Sequence, residues 1–229
     1  MKEINKWFIT VVLLIATGFL TRLLPFSTFF RTLDTMIHEF GHAIMTLLSS
    51  GRVLRIELNA DHSGVTYSLI SSSWSVVAVT LMGYVTASLF AVLMFYLYAK
   101  RNEKLGLCLI SLMGLLMLIF FVHEGFGVRW LIGFVLLNGI AYLLGRMIRS
   151  IYYLLLAFIT LEESVLGPIW LMILSVARTQ EAGDAFGLQQ ATGIPAFVWA
   201  MLFMFFSLFC ARIALRYFFE RLRKSDIRG

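Results

Sequence analysis

The chain is short of charge. Of its 229 residues only 14% are Asp, Glu, Lys or Arg, while 60% are hydrophobic. Soluble domains carry about a quarter charged residues, so this composition excludes an ordinary water-soluble globule. Cysteine is scarce as well. Cys108 and Cys210 lie in separate apolar runs without a CxxC partner. That excludes a disulfide framework or a thiolate metal knuckle and leaves both as packing residues. Internal repeats of the kind that build many transporters are absent. The first apolar run, residues 7–24, lacks a small-residue cleavage site and reads as a retained span rather than a secretory signal. The net charge of +6 does not point to nucleic acid. The Lys and Arg residues sit between apolar runs and in the tail, where they act as topology determinants.

What the sequence does have is apolar length. Seven hydrophobic segments stand out, at residues 7–24, 34–49, 74–99, 104–122, 128–145, 151–177 and 195–219. About 20 apolar residues cross a bilayer. The expected fold is therefore an all-α polytopic membrane protein with about six to seven transmembrane helices, forming a single membrane-embedded domain over residues 1–229. Pro168, with Glu162 and Glu163, predicts a kink or break in the sixth segment. Lys100, Arg101, Lys104, Arg146, Arg149 and the basic tail from Arg212 to Lys224 fall in alternate connections. They place the C-terminal tail in the cytoplasm; Lys2 and Lys6 argue the other way for the N-terminus. Gly83, Ala87 and Ala91 recur every fourth residue, which lets helices approach closely, either within the chain or between two copies.

Two stretches do not read as membrane helices. From Val53 to Leu58 and from Val65 to Leu69 the side chains alternate in character about the turn NADHSG, a β-hairpin signal. Residues 178–193, RTQEAGDAFGLQQATG, read as a polar connector before the last span.

One cluster interrupts the apolar pattern. In TMIHEFGHAIMTLL, His38, Glu39 and His42 stand where lipid makes ionisable groups expensive. Residues four apart share a helix face, so His38 and His42 can hold one metal ion while Glu39, beside the first ligand, serves as general base. A polar patch that bonds neighbouring helices is the bland alternative. A catalytic zinc takes three protein ligands and a water. The candidates for the third are His62, His123, Glu124, Glu162, Glu163 and Asp184. His62 suits a solvated turn, and His123 with Glu124 suits an interface. Glu162 and Glu163, two carboxylates in an apolar run, suit a supporting layer behind the ligands or the wall of a water channel.

HEFGHA, GRVLRIELNADHSGVTY, GYVTASLF and GDAFGLQQATGIPAFVW together resemble the site-2-protease class of intramembrane zinc metallopeptidases, in a compact bacterial branch. The resemblance implies a small β-hairpin after the HExxH helix and an aspartate on a late segment as third zinc ligand, here Asp184. In the TGIP stretch itself, Thr192 suits the N-cap of the helix that follows and Pro195 an early helical position. The wider family often shows Asn-Pro ahead of Asp-Gly in this region, and this sequence has neither. The implied function is hydrolysis of peptide bonds in or near the transmembrane segments of other membrane proteins, in a bacterial inner membrane. His38, His42 and Asp184 bind Zn2+, and Glu39 is the catalytic base and then the acid. An exposed strand edge holds the substrate extended through main-chain hydrogen bonds. Val53, Leu54, Arg55, Ile56, Glu57 and Leu58 are the substrate-binding candidates, with residues 65–69 as the other possible edge. Two rival readings are a membrane scaffold that binds clients without cutting them and a metal transporter. The intact Glu39 argues against the first. The nearly bare third and fourth spans argue against the second.

Overall fold

The structure, a computed structural model, describes residues 27–226, with the backbone alone for 224–226, together with Phe8, Val11, Val12, Leu14, Ile15, Thr17 and Gly18. Those seven positions of the expected first span are helical; the rest of that span, Lys2 and Lys6 lie outside the described residues. The fold is mostly helical, with one two-stranded antiparallel hairpin.

Helix α1 (Ser27–Leu48) carries the HExxH sequence. It starts two turns before the expected segment, because Arg31 and the Thr residues around it hid its beginning from an apolar count. The hairpin follows as β1 (Arg52–Leu58) and β2 (Gly64–Leu69). Five helices come next: α2 (Ser73–Ala99), α3 (Glu103–Phe120), α4 (Gly125–Leu143), α5 (Arg146–Ala177) and, after the short α6 (Gly183–Thr192), α7 (Ala196–Asp226). Among the described residues, these five and not α1 are long and apolar enough to cross a bilayer. Large apolar side chains such as Leu136, Ile140, Phe205 and Phe209 stand exposed on them, the surface a lipid-solvated helix presents. The chain is an integral membrane protein.

Lipid tails are as apolar as leucine, so close packing and internal hydrogen bonds, rather than exclusion from water, hold such helices together. The core shows both. Phe158 meets Phe95 at 5.0 Å and Phe218 at 5.2 Å between ring centroids, joining α2, α5 and α7. Leu33, Met36 and Ile37 of α1 are buried beside them in the same core. Ala87 and Ala91 are buried too, so the small-residue stripe of α2 is spent inside the chain. Cys210 is buried, whereas Cys108 is exposed on α3 rather than packed; neither is paired.

Two expectations need correction. The break that Pro168 allowed does not occur, and helix α5 continues through it. In a helix surrounded by protein and lipid, neighbouring groups satisfy the carbonyl that proline leaves bare, and the helix continues. The expected polar connector also folds. It forms a 3-10 turn (Thr179–Glu181) and then α6, pinned by Ala182, Ala185 and Leu188, which are buried against Leu171, Ala196, Ala200 and Phe203. Consequently Thr192 does not cap the last helix. It ends α6, its hydroxyl donating to the Leu188 carbonyl at 2.6 Å. The first N–H of α7, at Ala196, is instead met by the Gln189 side chain at 2.8 Å, and Pro195 lies just outside the helix.

The hairpin folds back along α1. Its turn reaches the middle of that helix, where Thr35 donates to the His62 carbonyl at 2.7 Å. In the exposed turn, hydrogen bonds from the Ser63 hydroxyl and N–H hold the Asp61 carboxyl below the usual carboxylate range.

Candidate metal centre

Three elements distant in sequence meet at one point. His38 and His42 lie one turn apart on α1, with their Nε2 atoms 3.0 Å apart. Asp184, in the first turn of α6, brings Oδ2 to 3.1 Å from His38 Nε2 and 3.4 Å from His42 Nε2. Helix α2 closes the back. A Cβ on Gly83 would stand 2.5 Å from His38 Nε2 and 2.6 Å from His42 Nε2, so only glycine lets α2 approach this closely.

The donor set fits a cation. His42 Nδ1 lies 2.8 Å from the Val79 carbonyl. A carbonyl only accepts, so Nδ1 carries the proton and Nε2 presents a lone pair. That lone pair faces an imidazole nitrogen and a carboxylate oxygen, and Asp184 Oδ2 is buried without a hydrogen bond of good geometry. A lone pair and a carboxylate that converge on one buried point are unfavourable unless a proton or a metal ion lies between them. Ligands about 2.05 Å from a tetrahedral zinc stand about 3.3 Å from one another. The edges of this triangle, 3.0 to 3.4 Å, are close to that. Among the described residues, these three are the group whose ligand atoms converge in this way.

Beside the triangle lies a cavity of about 580 Å³. Glu39, only 4% exposed, lines it with both histidines, Asp184, Tyr84 and the inner face of β2. The Tyr84 ring stands edge-on to His38 at 4.6 Å and rests on Phe203 of α7 at 4.8 Å. Val65, Ile70, Val76 and Val79 add an aliphatic part to the wall.

The other sequence candidates lie elsewhere. Glu163 pairs with Arg31 at 3.4 Å, toward the N-terminal part of α1. Glu162 lies beside Gly18, its Oε1 3.3 Å from where a Cβ there would stand. Neither carboxylate belongs to the ligand triangle. His123 and Glu124 are exposed at the α3–α4 turn, and His62 sits in the hairpin turn with φ +61°. Of the hairpin, β2 and not β1 borders the cavity. Val53, Leu54, Arg55, Ile56, Glu57 and Leu58 belong to β1, whose outer edge is engaged where Ile56 N–H donates to the Phe121 carbonyl at 2.8 Å. Alternation fixes a strand's two faces but not which strand lies next to the helix, so the sequence left both edges open.

Several residues at the site carried no sequence signal. Gly83 read only as part of a packing stripe. Thr66 read as one polar residue of an alternating strand, yet its hydroxyl lies 2.6 Å from Glu39 Oε2. A hint was present: Gly64, Thr66 and Ser68, the inward positions of β2, are all small, as a strand pressed on a helix requires.

The model of the family described as Peptidase M50B-like matches residues 7–214. Neither a curated protein nor a solved structure matches the chain.

Proposed function

The chain belongs to the Peptidase M50B-like family, a peptidase family of the site-2-protease type, and we propose that it is an intramembrane zinc metallopeptidase that cuts other membrane proteins in or near their transmembrane segments. The observation that carries the reading is the convergence of three lone-pair donors, His38 Nε2, His42 Nε2 and Asp184 Oδ2, beside a buried glutamate at the wall of a cavity. These three residues hold zinc. Zinc, when bound, polarises the scissile carbonyl and lowers the pKa of water to about 7.

The chain's own groups do the rest. His42 is held in one tautomer by the Val79 carbonyl, the usual role of a group behind a ligand histidine. Glu39 takes a proton from water as the water oxygen bonds to the carbonyl carbon. It then delivers that proton to the amide nitrogen as the C–N bond breaks. The substrate lies extended against β2. Ile56 points its N–H away from β2, so its partner Thr66 likewise turns its main-chain N–H and C=O outward, as in any non-hydrogen-bonded antiparallel pair. That edge runs along the cavity and offers a peptide main-chain hydrogen bonds. The whole chain works as one domain in a bacterial inner membrane, with its tail in the cytoplasm. A cytoplasm-dependent reporter fused after Gly229 is active on this reading; activity from an export-dependent reporter at that point reverses the orientation.

The deciding experiment pairs metal analysis with cleavage. Purified protein is expected to carry about one zinc per chain, and His38→Ala to lose it. Glu39→Gln is expected to keep the zinc and to lower cleavage of a model transmembrane substrate at least about a hundredfold. Zinc retained in a His38→Ala, His42→Ala double variant removes the site. Wild-type cleavage by Glu39→Gln removes the mechanism.

A further inference from the structure

The Glu39 carboxylate has two oxygens in different surroundings. Oε2 accepts a hydrogen bond from the Thr66 hydroxyl at 2.6 Å, and the same hydroxyl lies 3.2 Å from the Glu39 carbonyl. Oε1 borders Gly64, where a Cβ would stand 2.8 Å from it and 2.8 Å from Cγ. Both neighbours come from β2, two residues apart on the same inward face. The carboxylate is thus oriented by the strand and not by its own helix.

We infer that Thr66 is the positioning residue for Glu39: its hydroxyl holds Oε2, so that Oε1 is the oxygen left to exchange protons with water, and it ties the general base to the strand along which the substrate lies. The inference rests on the reading of Glu39 as base. A carboxylate on a helix turns about its side-chain torsions unless something fixes it, and a misplacement of about 1 Å costs on the order of a hundredfold in rate. A short charge-assisted bond is about twice as strong as a neutral one, and Glu39 is only 4% exposed. Thr66 also turns its main-chain groups outward, so a peptide bonded to that edge holds the residue that aims the base. Seating of substrate and orientation of Glu39 thereby meet in one side chain.

The hydroxyl and the methyl of Thr66 make opposite predictions. Thr66→Val keeps the shape and removes the hydroxyl. It is expected to lower kcat about tenfold to a hundredfold with KM little changed and zinc content at the wild-type level. Thr66→Ser restores the hydroxyl and is expected to cleave within about threefold of wild type. If Thr66→Val is not recovered folded, Thr66→Ala removes the same hydroxyl without placing a methyl against the carboxylate. A readout that needs no turnover is a double-mutant cycle in the melting temperature of the metal-free protein. The loss caused by Thr66→Val should shrink in a Glu39→Ala background. Equal kcat in wild type and Thr66→Val overturns the inference, as does Thr66→Ser falling as far as Thr66→Val, or strictly additive melting shifts. Glu39→Gln, run alongside, separates the two claims. If it is inactive while Thr66→Val is fully active, the base stands and its positioning by Thr66 falls. If it is active, the base itself falls.

Discussion

Among the described residues, two of the buried clusters of charged side chains are built on opposite plans. The first joins α2, α3, α5 and α7. Arg221 donates to Glu103 Oε1 and to the Tyr98 carbonyl, each at 2.5 Å, and to Ser150 Oγ at 3.1 Å. Its guanidinium also lies 3.6 Å from the centre of the Tyr98 ring. Donors meet acceptors and the charges cancel. The second is the triangle of His38, His42 and Asp184, where the His42 lone pair and the Asp184 carboxylate converge with His38 Nε2 on one point and Asp184 Oδ2 makes no hydrogen bond of good geometry. A self-satisfied cluster fastens helices. A cluster that lacks a positive charge needs a cation to complete it. Burial alone does not separate the two, since Glu103 is 3% exposed and His42 8%. The sign of what is missing does.

Removing a ligand should test the difference hardest. Asp184→Asn takes one negative charge from the triangle while keeping its shape. It is expected to weaken zinc binding at least about tenfold and to eliminate cleavage, with Asp34→Asn, outside the triangle, doing much less. Equilibrium dialysis against zinc measures the first effect and a membrane-substrate assay the second. Unchanged zinc affinity would put the two clusters in one class. Arg221→Met should act the other way round. It leaves Glu103 buried without its partner, a loss on the order of 3 kcal/mol, seen as a lower melting temperature in detergent with zinc content unchanged. An Arg221→Met protein that melts normally but loses zinc would reverse the assignment. The smallest effect belongs to Arg178→Ala. Its ion pair with Glu181 is 3.3 Å long, but the two side chains are 70% and 58% exposed. Exposed pairs contribute little, so neither melting nor metal content should move.

Much of the fold was legible because membrane physics is repetitive. Five segments chosen by apolar length correspond to α2, α3, α4, α5 and α7, and alternation located the hairpin to within a residue or two. Spacing put His38 and His42 on one helical face. What escaped depends on packing between elements. Helix α6 was hidden because its buried residues, Ala185 and Leu188, are too few to show a period among Gly, Gln and Asp. Gln189 took the capping role expected of Thr192, through a contact seven residues long. Pro168 gave a strong local signal that its surroundings overrode. Thr66 could not be singled out from a strand of polar and apolar residues until the strand was seen against Glu39.

The asymmetry of the hairpin bears on self-association. A free β-ribbon has two edges, and ribbons with two open edges stack without limit into fibrils. Here the Phe121 carbonyl takes the Ile56 N–H on the outer side of β1, so the ribbon can extend only past β2. Two copies that met through that edge would occupy each other's open side and form a closed, twofold pair. Strand pairing through that edge alone gives a pair and not a polymer.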